Sequence, residues 1–532
     1  MDFKRFFLFS ILVAIFNCLY GELFTALVDL SKVFKAEKDL SELLHQYVLN
    51  EEKRLNELVE FAKELKTYNI SANDFSDSME IEKYFSNPIN SYLFARKFVH
   101  DWKDKLDLVN DFVNNKFRKI LQEEIDKFQD RLPNTDDIDG AIDAMIRLQE
   151  TYHLDTKDLV VGKIQNFQSN VKLNADDCFN IGVHAYKKEN FPIAVKWFKE
   201  SLNLFKINKV DPDGTLNERS ILDYLSYCLG SVGMYRAALN YTNELLQSPN
   251  SDIRDRLLKN KNYYLEKISE EIVPNNDENP GFSDHYDGNF YTALCRGESP
   301  IEVSEREKNL KCYNKIPHPF YKIGPLKVEV AFSKPRLVII HDLIHDEEIE
   351  HIKSVASPKL NRATVRNPST GILEFASYRI SKSAWLPNDL DEITSKINKR
   401  ITASTGLNIE MAEDLQVVNY GIGGHYSPHF DHGKKRPQDA FEIERGNRIA
   451  TLLFYMSDVE AGGATVFTEV GAKLWPKKGS AAFWFNLKAN GESDDMTRHA
   501  GCPVLVGSKW VMNKWFHERG QEFQRPCKLK NI

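Results

Sequence analysis

Apolar residues in the first part of the chain recur at helical spacing. Leu44, Val48, Leu55, Leu58, Ala62 and Leu65 fall at alternating steps of four and three, with Glu51 as the one polar break. Three heptads of this kind predict a helix that either pairs with a second copy or packs within one chain. Helical patterning, with charged faces and little glycine, continues to about Tyr152.

From Ala175 to about Ile268 the helices shorten and pair. In "CFNIGVHAYKKENFPIAVKWFKESL", Gly182, Ala194 and Phe198 stand at the offsets of a tetratricopeptide unit. "LDYLSYCLGSVGMYRAALNYTNELL" repeats the outline with Gly233, Tyr235 and Ala238, small residues letting paired helices approach closely. Ala194 and Ala238 lie 44 residues apart, so an insertion around 206–217 separates the units. Stacked helix pairs create a concave face that suits peptide. Tyr224 and Tyr227, at i and i+3, would be neighbours there, with Tyr263 on the next helix. Such rings either line a groove for polyproline II peptide or pack between helices.

Residues 271–335 read as a connector, opening on the loop composition "VPNNDENPGFSDHYDGN". From about Lys334 the texture turns to β. "RLVIIHDLI", "EDLQVVNYGIG", "NRIATLLFYMSDV", "GSAAFWFNL" and "KWVMNKWFHE" are short β-branched or aromatic runs separated by glycine-rich turns. They predict an all-β barrel or double-sheet jelly roll, with flanking helices near Asp346 to Ala356 and Asp389 to Thr405.

The 532 residues suit three or four domains at ~150 residues each. A net charge of −7 is mild for this length and gives no reason to expect nucleic acid. The start, "MDFKRFFLFSILVAIFNCLYGEL", has a basic pair and an apolar run from Phe6 to Phe16. That run suits a signal peptide over about residues 1–20, and is short for a membrane span, which needs ~20 residues. A secretory chain is therefore expected, with no second span. Removing the signal leaves six cysteines in a compartment that permits disulfides. Two local pairings stand out among fifteen connectivities, Cys295 with Cys312 and Cys502 with Cys527. Asn69 and Asn240 begin glycosylation sequons. The ending "KLKNI" is not a retention signal of the KDEL type, so residence in the endoplasmic reticulum would need a partner or another signal.

Candidate chemistry gathers in "HYSPHFDHG". Taken as strand, it points His429 and Asp431 to one face, two-thirds of a 2-His-1-carboxylate facial triad. His432, His499 and His517 are candidates for the third ligand. His432 points away if the strand persists, and His425 precedes Ser427-Pro428, where the strand is expected to begin. A facial triad leaves positions for a 2-oxo acid and O2, and the acid's other carboxylate needs a cation, Arg498 or Lys509. Catalytic zinc would accept the same ligand types.

"LQVVNYGIGGHYSPHFDHG", "GNRIATLLFYMSDVEAGGATVF", "WPKKGSAAFWFNL", "RHAGCPVLVGSKWVMNKWFHERGQEF" and "YRISKSAWL" resemble the catalytic region of collagen prolyl 4-hydroxylase alpha subunits. The resemblance extends through Cys295 and Cys312, "LSYC" and "AEKDL", nearly the whole chain. It implies a helical N-terminal dimerisation domain (21–165), a tetratricopeptide-like peptide-binding domain (166–270), the connector (271–335) and a double-stranded β-helix dioxygenase domain (336–532). It implies His429, Asp431 and His499 as Fe(II) ligands and Lys509 as the partner of 2-oxoglutarate. Cys295–Cys312 and Cys502–Cys527 would be disulfides, and Tyr224, Tyr227 and Tyr263 would bind proline-rich peptide. Two positions depart from the family's usual pattern, Cys228 for alanine and Gly230 for a further tyrosine. The implied reaction hydroxylates proline in procollagen-like chains in the endoplasmic reticulum lumen. It consumes O2 and 2-oxoglutarate, with ascorbate maintaining the iron. The implied partners are protein disulfide isomerase as beta subunit and a second alpha subunit.

Overall fold

The computed structural model describes residues 52–65, 78–110, 135–208, 216–247, 253–270, 290–302, 307–366, 372–433 and 444–529. The expected signal peptide, Leu44, Val48 and Asn69 lie outside them. No helix among the described residues is long and apolar enough to cross a membrane. The chain divides into two compact units, one of residues 1–76 and 101–130, the other of 77–100 and 131–532.

In the first unit, helix α1 (residues 52–65) buries Phe61, whose ring meets Trp102 edge-on at 5.5 Å. Leu55 and Val59, one turn apart, are left about half exposed, at 51% and 49%.

After a short helix at Ser78–Phe85, the second unit continues with α2 (Pro88–Arg96) and α3 (Thr135–Tyr152). The paired helices follow: α4 (Ala175–Lys187), α5 (Phe191–Asn208), α6 (Glu218–Ser231), α7 (Tyr235–Leu246) and α8 (Arg254–Glu270). Asn174 and Asp177 form a capping box that starts α4. Gly182 lets α4 and α5 touch, since a Cβ there would lie 2.7 Å from the Phe198 ring. In the second helix pair, α6 and α7, Gly233 is not the point of close approach expected of it. Gly233 sits in the α6–α7 turn at φ +81° with open space beside it, which is the left-handed conformation that glycine tolerates. The close approach falls at Gly230, where a Cβ would lie 2.4 Å from Tyr264.

The C-terminal part is two antiparallel sheets. The larger has nine strands: β1 (Cys312–Lys315), β2 (Leu326–Phe332), β3 (Leu337–His341), β4 (Asn361–Arg362), β6 (Lys382–Leu386), β7 (Leu415–Tyr420), β9 (Arg448–Tyr455), β13 (Ala481–Phe485) and β16 (Lys509–His517). The smaller has five: β5 (Arg379–Ile380), β8 (His425–His429), β11 (Thr465–Phe467), β12 (Ala472–Leu474) and β14 (His499–Gly501). A short ribbon pairs β10 (Ala461–Gly462) with β15 (Val504–Val506). β1 and β2 lie inside the segment read as a connector, yet they form the outer edge of the larger sheet.

The larger sheet is covered on both faces. Leu415, Val417, Ala450, Leu452 and Met512 pack with α10 (Asp346–Ala356) and α11 (Glu392–Thr405). Their alternates Val418, Tyr420, Leu453, Tyr455 and Val511 pack with Phe467 and Leu474 of the smaller sheet. Two buried faces explain why "IATLLFY" reads as a continuous apolar run. Period-two alternation then sends Thr451, Tyr455, Tyr420 and Lys509 into the space between the sheets.

Candidate metal centre and its surroundings

β8 and β14 are neighbours in the smaller sheet, and His429 is the direct cross-strand partner of His499. This pairing brings residues 70 apart in sequence to a ring separation of 4.4 Å. Asp431 follows the end of β8, and its carboxylate lies 3.8 Å from His429 Nε2 and 3.6 Å from His499 Nε2. One ligand atom from each of the three residues fits within 4.8 Å of the others. Each histidine donates its Nδ1–H to a backbone carbonyl, His429 to Ser427 at 2.9 Å and His499 to Thr497 at 3.0 Å. The Nε2 lone pairs are therefore free to face a common point, the tautomer that a metal requires. Burial keeps the His429 imidazole neutral by lowering its pKa, and neighbouring His499 adds to this. For Asp431, burial favours the neutral acid, but a proton shared with His499 or His429, the Arg448 charge and the Thr451 hydroxyl together hold the carboxylate ionised.

The donor set, two neutral imidazoles and one carboxylate, fits a divalent iron with open positions. Thr451 donates to Asp431 at 2.7 Å, and Asn486 donates in turn to Thr451 at 2.9 Å, fixing the carboxylate's orientation. Tyr426 stacks on His429 at 3.5 Å, with the Arg379 guanidinium 4.9 Å from the Tyr426 ring. Sequence reading missed these supports. The signal for Thr451 was a lone polar residue inside an apolar strand, at the same parity as Tyr455.

The remaining candidates separate clearly. His432 is buried but stands outside the ligand cluster. His517 ends β16, ~26 Å along the strand from Lys509. There it pairs with Glu413 at 2.9 Å. His425 is already in the strand, which starts two residues earlier than Ser427. It is buried at 3% exposure, and burial lowers its pKa to about 3. Arg498 is paired with Glu469 at 3.5 Å. Lys509 is 3% exposed, and its Nζ lies 5.5 Å from the Tyr420 ring and 5.9 Å from Tyr455. Burial without a carboxylate partner among the described residues brings its pKa down to about 7.

The expected disulfides are not the ones formed. Cys295, at the end of α9 (Tyr291–Cys295), is bonded to Cys502, while Cys312 and Cys527 are free and exposed. The reason is topological. α9 packs against the smaller sheet, with Tyr291 donating to Gly501 at 3.2 Å, so Cys295 meets the residue after β14. Cys312 is carried away on β1, opposite Glu329, and Cys527 lies near Gly491. Cys178 and Cys228 are buried thiols.

Among the three tyrosines, Tyr224 is half-buried between helices, stacked on Phe198 at 5.4 Å and edge-on to Tyr186 at 5.0 Å. Tyr227 and Tyr263 present 40% and 47% of their surface. Asn240 is exposed on α7, whereas its sequon partner Thr242 is buried and donates to Ala238 at 2.8 Å.

The sequence matches three family models: the prolyl 4-hydroxylase alpha-subunit N-terminal region over residues 26–166, the prolyl 4-hydroxylase peptide-substrate-binding domain over 175–271, and the 2OG-Fe(II) oxygenase superfamily over 415–517. It is 42% identical over 521 residues to prolyl 4-hydroxylase subunit alpha-2 of Caenorhabditis elegans, covering 96% of this chain and 94% of that protein. Against subunit alpha-1 of Homo sapiens it is 40% identical over 524 residues, 96% of each chain. Its likeness to these proteins along nearly its whole length, its ligand cluster and its double sheet agree: this chain belongs to the prolyl 4-hydroxylase alpha-subunit family and is a 2-oxoglutarate-dependent dioxygenase.

Proposed function

We propose that this chain is the catalytic subunit of a procollagen-proline 4-hydroxylase. It hydroxylates C4 of proline in X-Pro-Gly repeats, consuming O2 and 2-oxoglutarate and releasing succinate and CO2. One observation carries the reading. The His429, Asp431 and His499 cluster shares the inter-sheet space with a buried lysine that lacks a carboxylate partner among the described residues, in a chain that also matches a peptide-substrate-binding domain. Fe(II), when bound, supplies the redox chemistry that couples oxidation of the 2-oxo acid to hydroxylation.

The protein's own groups do the rest. His429 and His499 offer Nε2, and Asp431 offers the oxygen oriented by Thr451. The Lys509 ammonium pairs with the distal carboxylate of 2-oxoglutarate, in surroundings from which Tyr420 and Tyr455 exclude water. Tyr227 and Tyr263 offer ring faces to proline, while Tyr224 supports Tyr186 and, through it, Tyr227. Holding a long substrate on the helical domain raises the local concentration of successive prolines.

The subunit works in the endoplasmic reticulum lumen with protein disulfide isomerase as beta subunit, and ascorbate keeps its iron reduced. Leu55 and Val59 on α1 form part of the face that meets a second alpha subunit. Incubation of the assembled enzyme with (Pro-Pro-Gly)n, Fe(II), 2-oxoglutarate and ascorbate should add oxygen to proline, read by mass spectrometry. Iron binding without any such addition would reject this function.

A further inference from the structure

The strands that carry the two histidines end in loops that bind one another. Gly423 N–H donates to Val504 O at 2.9 Å, and Val504 N–H donates to Gly424 O at 3.1 Å. One loop leads into β8 and His429, and the other leaves β14 and His499. Between them the β8–β14 register shifts, from Tyr426 opposite Gly501 to His429 opposite His499. A shifted register needs something to hold it, because sliding one strand would separate the two imidazoles.

Helix α3 grips both loops. Arg147 Nη1 donates to Gly423 O at 2.9 Å, and Tyr152 donates its buried hydroxyl to Pro503 O at 2.6 Å. The backbone is shaped to admit the helix. Gly423 has φ +62°, and a Cβ there would lie 2.7 Å from Ala144 of α3. Gly462 has φ +77°, and a Cβ there would lie 2.7 Å from the Tyr152 hydroxyl oxygen. On its other side α3 is fixed to the paired helices. Trp197 donates to Gln149 at 2.9 Å, and His184 Nε2 lies 2.7 Å from Asp143.

We infer that α3, which falls in the N-terminal region and outside the oxygenase segment 415–517, is a positioning element of the metal centre. Arg147 and Tyr152 fix the loops at the ends of β8 and β14, and so set the spacing of His429 and His499. The inference rests on the metal-centre reading above. Neither residue belongs to the ligand cluster, so both are positioning residues.

The test uses the assembled enzyme with Co(II) as a spectroscopic probe for the iron. Tyr152→Phe removes one oxygen from a buried ring and preserves its packing. It should weaken Co(II) and Fe(II) affinity about tenfold, the low end of what losing a ligand's support costs, and alter the Co(II) absorption bands. Arg147→Met should act in the same direction, and Arg147→Lys should restore part of the affinity. Binding of (Pro-Pro-Gly)n should be unchanged in all three. Unaltered Co(II) affinity and bands in both Tyr152→Phe and Arg147→Met would overturn the proposal alone. A wild-type enzyme that binds no Co(II) would overturn the metal-centre reading as well.

Discussion

At the residue scale, the most informative side chain is Lys509. Burial lowers its pKa from the ordinary lysine range to about 7, so without a carboxylate beside it the ammonium gives up its proton in the neutral range. A carboxylate ligand needs the charged form. Affinity for 2-oxoglutarate should therefore be full below pH ~7 and fall about tenfold per pH unit above it, with proton uptake on binding. Calorimetry in buffers of different ionisation enthalpy measures both. Lys509→Arg, always charged, should abolish the pH dependence, and Lys509→Ala should weaken binding by about 10- to 100-fold. A flat profile for the wild type would remove Lys509 from the cosubstrate site. A second contrast separates the histidines. His499→Ala should eliminate iron binding. His432→Ala should keep iron affinity within about threefold while costing ~1–3 kcal/mol of stability, because His432 is buried outside the cluster. Equilibrium dialysis and denaturant melts read the two effects separately.

At the element scale, α6 and α8 show how one small residue reshapes a surface. Gly230 leaves the space that the Tyr264 ring fills, and Tyr264 is 3% exposed with its hydroxyl near Ser226 O at 3.3 Å. The tyrosine usual in the family at this position would collide with that ring. Gly230→Tyr should therefore lower the melting temperature by several degrees, and Gly230→Tyr with Tyr264→Ala should recover most of the loss. Unchanged thermal stability of the single variant would mean that the helices separate without cost. Glu413 ties β9 to β16 through Arg448 at 2.5 Å and His517 at 2.9 Å. Burial favours its neutral acid, but Arg448 and His517 outweigh this and hold its pKa at about 2. A carboxyl lowered in the folded state contributes stability above its ordinary pKa. That stability is lost as pH falls from ~4.5 towards 2. Urea melts between pH 6 and 2.5 should show this loss, and Glu413→Gln should be less stable at pH 6 with a flatter profile.

At the scale of the whole molecule, the Cys295–Cys502 bond joins the segment between the helical and β parts to the strand carrying His499. Peptide mapping without reduction should recover this pair, with Cys312 and Cys527 open to maleimide in the native protein. Recovery of Cys295 joined to Cys312 would contradict the structure. The hydrophobic core shared by α3–α8, Tyr291 and strands β11, β14 and β15 makes the same point without a covalent bond. The oxygenase module does not stand apart from the helices before it.

Much of this was determined by the sequence itself. Periodicity located the paired helices, the short β runs and the two flanking helices, because each element repeats its own geometry in its side chains. His429 and Asp431 were legible as a ligand pair because they lie two residues apart. The third ligand was not legible in local pattern: alternation set His432 aside but left His499 and His517 open, the family resemblance named His499, and strand pairing, a non-local choice, put it opposite His429. The same holds for Thr451 beneath Asp431, Tyr264 beside Gly230, and the Cys295–Cys502 bond. Closeness in sequence suggested local disulfides, but β1 and α9 leave in different directions and carry their cysteines apart. Local pattern records what each segment buries, whereas only the folded chain decides which buried faces meet.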